Sequence, residues 1–360
     1  MKSFIKQFII YILSFIPFKN TNSIFTSLFS KQHSGGPGRF LYNLNAGLSK
    51  QNIDLNRFFL SGCKSALILS NSPGDFFLKL CHKKNILTVL RVDGFYPPNI
   101  FNDKKNTADD ARQLTKYRQN INLRMKQDIE LCKYVIYQSQ FSKNMADKYL
   151  YQRSNNYSII YNGVNTKHFK PVNQSHENIQ LLMLGTWRDV DLMISSLNVF
   201  QLTNNKQNVT LKIIGPMTKK VSAVFTRWLE LNHILRKKIN RKDNVAYADL
   251  PSEIAECDIS LHLKSGDWCP NAVLETLSCG IPVICQNHGG TKELVETAGI
   301  IVDSEPFIYD KEFEQRCAKE TLQVLADLNN YKLRARELII KKFSLEQMIQ
   351  QYKQILIDAT

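Results

Sequence analysis

Short apolar runs recur along this chain and alternate with longer amphipathic or polar segments, the pattern of a parallel α/β sheet. In the first half, Ser23 to Phe29, Ala66 to Leu69 and Ile86 to Leu90 read as strands. Between and after them lie an amphipathic segment through Leu48 and a polar, helix-compatible segment from Ala108 to Cys132. The alternation restarts with a strand at Ile179 to Leu184 and a helix from about Val190. Strands follow at Val209 to Ile214, around Val245, at Ile259 to Leu263, at Val283 to Cys285 and at Ile300 to Val302, with a basic helical stretch from Val221 to Lys238 among them. No internal repeat is visible, which excludes a solenoid.

The stretch from Lys264 to Pro282 carries the densest chemistry. It follows the run Asp258 to Leu263, and Pro270 and Asn271 stand where a helix starts, so the order is strand, polar loop, helix. Such a helix start presents backbone N–H groups and a positive dipole end to an anion. Asp267 lies in the loop and Glu275 about one turn into the helix, so two carboxylates can face one pocket, where they accept hydrogen bonds from hydroxyls as an acidic residue does for ribose. The same residues also fit a loop cap and a solvated helix residue. A second strand–loop–helix order surrounds His33 to Phe40, whose glycines, Gly36 and Gly38 among them, permit close backbone approach to a ligand. Asp93 stands at the carboxyl end of a strand, where ligands of open parallel sheets bind, although a strand-ending Asp-Gly turn is also common. Arg188 follows the strand Ile179 to Leu184 and is placed to grip a diphosphate bidentately.

Length and composition set the frame. The 360 residues, 43% apolar, suffice for two cored domains. Eight cysteines carry no metal-type spacing and read as reduced thiols of a cytoplasmic protein. The net charge of +15 is uneven: residues 1–170 hold 25 Lys and Arg against nine Asp and Glu, whereas residues 171–360 hold 22 against 23. A basic half attracts nucleic acid, anionic lipid or a phosphorylated acceptor, or is simply a solvated surface; nucleic acid is disfavoured because no binding motif is present. Residues 1–20 combine a basic start with an apolar core interrupted by Pro17, too short for a membrane span and without a cleavage site. They read either as a helix in the membrane interface or as a helix packed on the first domain.

Asp267 and Glu275, followed by Gly289-Gly290 and Glu293, resemble the nucleotide-sugar site of the retaining glycosyltransferases of family 4. There an acid, seven intervening residues and a glutamate precede a Gly-Gly-x-x-Glu loop, with Glu rather than Asp in the first position. Asn162-Gly163-Val164 with His168 to Pro171, and Phe343 to Tyr352, are similar to that family's passage into the second domain and its closing helix. The resemblance implies an α/β fold of the GT-B class, two facing Rossmann-like domains with parallel sheets. The implied division is an acceptor-side domain over 1–170, a nucleotide-sugar domain over 171–342, and a helix over 343–360 that returns to the first. It implies transfer of a sugar from a nucleotide-diphosphate sugar to a glycan or glycolipid acceptor, with retention and without a metal or other cofactor. Glu275 would take ribose hydroxyls, Asp267 a hydroxyl of the donor sugar, and Gly36, Gly38, Asn271, Ala272, Val273 and Leu274 would line the donor site. Asp93 would act near the acceptor. Family members add a Lys a few residues after the Arg; here none occurs between Arg188 and Lys206, and Lys264 is the first candidate to replace it. The alternative is a sugar-nucleotide binder with little turnover.

Overall fold

The computed structural model describes residues 22–27, 36–56, 60, 62–69, 74–97, 108–172 and 178–358. The expected interface helix over 1–20, the glycine loop before Gly36 and most of the linker at 172–178 lie outside them. Two compact units form: Met1–Asn162 with Leu345–Thr360, and Gly163–Ser344. The second unit begins at Gly163. Val164 already pairs with Ser344, its N–H donating to Phe343 O at 3.0 Å. Phe169 is buried, and its carbonyl accepts from Ser278 Oγ (2.7 Å) and Arg336 Nη1 (2.9 Å).

The first unit holds β1 (Ser23–Thr26), β2 (Asp54–Asn56), β3 (Cys63–Ile68), β4 (Leu87–Val92), β5 (Tyr134–Tyr137) and β6 (Tyr157–Ile159), in the order β2-β1-β3-β4-β5-β6. Every pairing is parallel. The apolar runs of β1, β3 and β4 are buried, as strands covered on both faces require. The sequence pattern gives no sign of β2 and β6, which are three residues each and sit at the sheet edges. The helix Gly36–Ser49 buries Phe40, Leu41, Leu44 and Leu48, one stripe at helical spacing. It begins earlier than expected, so Gly36 and Gly38 are helical residues rather than members of a preceding loop.

The closing helix Leu345–Lys353 buries Met348, Ile349 and Tyr352 in that same core. It approaches the helix Gly36–Ser49 so closely that a Cβ on Gly47 would lie 2.1 Å from Ile349 Cδ1. Ser65 Oγ in β3 donates to Leu356 O at 2.7 Å, fixing the turn that follows.

The second unit holds β7 (Ile179–Leu184), β8 (Val209–Ile214), β9 (Ile239–Lys242), β10 (Ile259–His262), β11 (Val283–Gln286) and β12 (Gly299–Val302). Its order is β12-β11-β10-β7-β8-β9, and all pairings are parallel. The chain winds outward from β7 through β8 to β9, then returns to place β10 on the other side of β7. That reversal is the topological switch point where doubly wound sheets bind ligands beyond the carboxyl ends of their strands. The strand expected around Val245 lies instead at Ile239–Lys242. This edge strand, Ile-Asn-Arg-Lys, has little apolar character to reveal it. The basic helical stretch is two helices, Lys219–Leu231 and His233–Arg236, broken at Asn232. No described helix is long and apolar enough to cross a membrane.

If the close approach at Gly47 holds the closing helix, Gly47→Ala destabilises the protein by roughly 1–3 kcal/mol, the usual cost of overpacking. Ile349→Ala destabilises it through lost burial. Urea unfolding of the double variant should show a loss smaller than the sum, because the second change removes the atoms with which the new methyl collides. Additive losses would place the strain elsewhere.

Candidate functional site

Three loops meet at the carboxyl edge of the second sheet. The first, after β7, is held by Trp187, which is buried and exchanges backbone hydrogen bonds with the β8 loop: its N–H donates to Pro216 O at 2.9 Å and its carbonyl accepts from Thr218 N at 3.0 Å. Gly215 takes φ +114°, and a Cβ there would lie 1.9 Å from Gly185 O, so only glycine permits this approach. Trp187 anchored, Arg188 is left exposed and forms no ion pair among the described residues. The next residue, Asp189, caps the helix Val190–Asn204, accepting from Asp191 N (2.9 Å) and Leu192 N (3.2 Å).

The loops after β10 and β11 are locked to each other through their backbones. Gly266 N donates to His288 O at 3.0 Å and Gly290 N donates to Asp267 O at 2.7 Å. Gly289, at φ +131°, allows this, since a Cβ would lie 3.2 Å from the Asp267 backbone. Ser265 extends the lock: its Oγ lies 2.9 Å from His288 Nδ1 and accepts from Phe307 N at 3.3 Å, while its N–H donates to Tyr309 Oη at 3.4 Å. Burial pushes the Tyr309 phenol well above its ordinary range, and the charges of Asp189 and Asp267 add to the shift. Burial, followed by Lys292, lowers the His288 imidazole and favours its neutral form.

Asp267 is flanked by a basic side chain on each oxygen. Lys264 Nζ is 2.5 Å from Oδ1 and His262 Nε2 is 3.2 Å from Oδ2, with the Asp267 side chain only 19% exposed. Burial alone would raise this carboxyl, but Lys264 and then His262 more than offset it and bring it down to about 2. Asn271, Ala272, Val273 and Leu274 form the first turn of the helix Asn271–Ser278, which Pro270 starts without a side-chain cap. Ala272 is half-buried, whereas Val273 and Leu274 point into the core, so only their backbone groups serve a ligand. Glu275, half-buried, lies one turn beyond Asn271 and on its face.

The strand order makes the loops that carry Arg188 and Asp267 neighbours, since both follow the carboxyl ends of the adjacent strands β7 and β10. Lys264 comes directly against Asp267, so its charge is engaged within the loop. Asp93, Gly36 and Gly38 belong to the first unit. There Asp93 is not an openly presented carboxylate: its side chain is 5% exposed and ion-paired with Arg91. Arg91 in turn stacks on Phe40, 3.8 Å from the ring centroid, and donates through Nη2 to Asn162 Oδ1 at 2.8 Å. Gln138 accepts from Asn162 Nδ2 at 3.4 Å and donates to Val92 O at 2.8 Å.

Sequence reasoning passed over His262, Ser265, His288, Tyr309 and Arg91. A histidine ending a strand five residues before an acidic loop residue was the available signal for His262. The other partners lie too far apart in the chain for spacing to join them. Among the described residues no group of three His, Cys, Asp or Glu side chains is placed to hold a metal ion, and all eight cysteines are buried and outside any disulfide.

Residues 178–327 match the model of the family described as glycosyl transferases group 1. No protein of curated function matches the chain by sequence. Among solved structures, the chain is similar to sucrose-phosphate synthase from Thermosynechococcus elongatus, with a TM-score of 0.72 and 15% identity over 94% of this chain and 99% of that one. It is similar to HepE of Anabaena in complex with UDP and glucose, with a TM-score of 0.67 and 15% identity over 93% and 99%. It is also similar to WaaG, a glycosyltransferase involved in lipopolysaccharide biosynthesis, with a TM-score of 0.64 and 12% identity over 93% and 99%. The two six-stranded parallel sheets are therefore those of the GT-B fold class.

The Asp267 environment has a consequence for stability. Its carboxyl ionises at about 2 in the folded chain, below its unfolded value of about 3.9, so the stabilisation is full above about pH 5 and is lost as pH falls through about 2. Urea unfolding from pH 5 to 2 should cost the wild type on the order of 2 kcal/mol more than Asp267→Asn. Parallel curves would mean that Lys264 and His262 leave this carboxyl unperturbed.

Proposed function

We propose that this chain is a retaining glycosyltransferase that moves a sugar from a nucleotide-diphosphate sugar to an acceptor hydroxyl. The observation that carries this reading is the meeting, at the switch point of the second sheet, of an uncapped helix start, two carboxylates and an exposed arginine, within the residues that match the group 1 family model. In this reading Glu275 accepts hydrogen bonds from the ribose hydroxyls, and the backbone of Asn271, Ala272, Val273 and Leu274 lines the nucleotide. Arg188 grips the diphosphate. Asp267 holds a hydroxyl of the donor sugar, with Lys264 and His262 keeping it ionised for that purpose.

The diphosphate is carried without a metal, by Arg188 and the helix start, whose fixed dipoles need no reorganisation as charge develops on the leaving group. Lys264 adds its charge through the edge of the Asp267 pair. Acceptor recognition is assigned to the first unit, with Asp93 oriented there by Arg91. The acceptor is a glycan or glycolipid of surface-glycan synthesis, and the protein works in the cytoplasm, peripherally at the membrane. The UDP and glucose bound by HepE and the lipopolysaccharide role of WaaG support UDP-sugars and a lipid-linked glycan as the first pair to test.

Release of nucleoside diphosphate from a panel of nucleotide sugars tests the reading. Arg188→Ala should lower turnover by roughly 100- to 1000-fold, the usual cost of losing a preorganised donor to transition-state charge, and Arg188→Lys should recover part of it. Glu275→Ala should weaken donor binding by about 1.5–3 kcal/mol. Tight nucleotide binding with no turnover on any donor would instead make the protein a sugar-nucleotide binder.

A further inference from the structure

The basic stretch of the second unit is not absorbed by the donor site. Residues 219–242 hold eight Lys and Arg against one Glu, whereas the rest of residues 171–360 holds 14 Lys and Arg against 22 Asp and Glu. The partners divide six of these cations into two classes. Lys238 donates to Asn204 and Asn208, Arg241 pairs with Asp243, and Lys242 pairs with Glu253. Arg227, Arg236 and Lys237 are exposed and make no ion pair among the described residues.

These three bracket an apolar corner. Val221, Phe225 and Trp228 form the buried stripe of the helix Lys219–Leu231, and Leu231 continues that stripe past the end of the core, where it is 75% exposed. Asn232 then turns the chain, and Ile234 stands out of the next helix at 82% exposure. Leu231 and Ile234 are the two most exposed large hydrophobics of the described chain. Leucine and isoleucine at a corner, flanked by unpaired cations, suit insertion among lipid headgroups with anionic charge around them. A single-stranded nucleic acid would call for exposed aromatic rings on which to stack. The one large aromatic beside the corner, Trp228, is buried.

We propose that the corner at Leu231 and Ile234, with Arg227, Arg236 and Lys237, is a docking surface for an anionic lipid bilayer. It lies within the second unit and is independent of the transferase reading and of any role of residues 1–20.

Because all eight native cysteines are buried, Ile234→Cys in the full chain can be labelled selectively with an environment-sensitive fluorophore. Leu333→Cys, on an exposed residue of the same unit (62% exposed), serves as control. With phosphatidylcholine vesicles containing phosphatidylglycerol, the probe at 234 should shift to the blue and the probe at 333 should not. The shift should vanish at high salt and without phosphatidylglycerol. Adding Arg236→Glu and Lys237→Glu should weaken vesicle binding by about 25-fold or more, at about fivefold per cation. An unmoved probe at 234 on vesicles that bind the protein would overturn the proposal, showing that another surface docks. A shift given by a single-stranded oligonucleotide and not by vesicles would overturn it in favour of nucleic acid.

Discussion

Two backbone hydrogen bonds, from Gly266 N to His288 O and from Gly290 N to Asp267 O, hold the β10 and β11 loops against each other, and the candidate site of the second unit depends on them. Backbone partners cannot drift as side chains do, so the loop carrying Asp267 has one position relative to the sheet. The lock exists because Gly289 has no side chain and accepts a positive φ. Ser265 then ties in the β12 loop through Phe307 and Tyr309. The β7 loop is fixed by a comparable device, with Gly215 and Gly185 in close approach and Trp187 as anchor. Rigid loops at a switch point are what a preorganised electrostatic site requires.

The electrostatics follow from that geometry. Asp267 is short enough to be enclosed by Lys264 and His262, which keep it ionised despite its burial. The loop thus uses its lysine internally, while Arg188, in the neighbouring β7 loop, is left exposed. The buried Arg91 plays an analogous part in the first unit, where its guanidinium organises Asp93, Asn162 and Phe40 from three distant segments.

Much of this was legible in the sequence, because parallel strands buried on both faces read as apolar runs. β7, β8, β10, β11 and β12 fall where the hydrophobic pattern places them, and β9 does not, because Ile239-Asn-Arg-Lys242 is an edge strand stabilised by charge partners. The three-residue edge strands β2 and β6 carry too little pattern to be seen. The strand–loop–helix order around Asp267 and Glu275 was readable from their spacing and from Pro270. The partners of those residues were not, since Ser265, His288 and Tyr309 converge only through the loop lock. The helical state of Gly36 and Gly38 was hidden by composition, glycine being the residue least expected to start a helix and Pro37 being at ease there.

The central claim is that the second unit holds a nucleotide diphosphate at the carboxyl ends of β7 and β10. Amide hydrogen exchange of the full chain, with and without a saturating nucleoside diphosphate beginning with UDP, tests it most directly. The account predicts protection concentrated in residues 185–189, 264–275 and 287–293, with the first-unit sheet unchanged. Binding of the nucleotide with protection confined to other segments would contradict it.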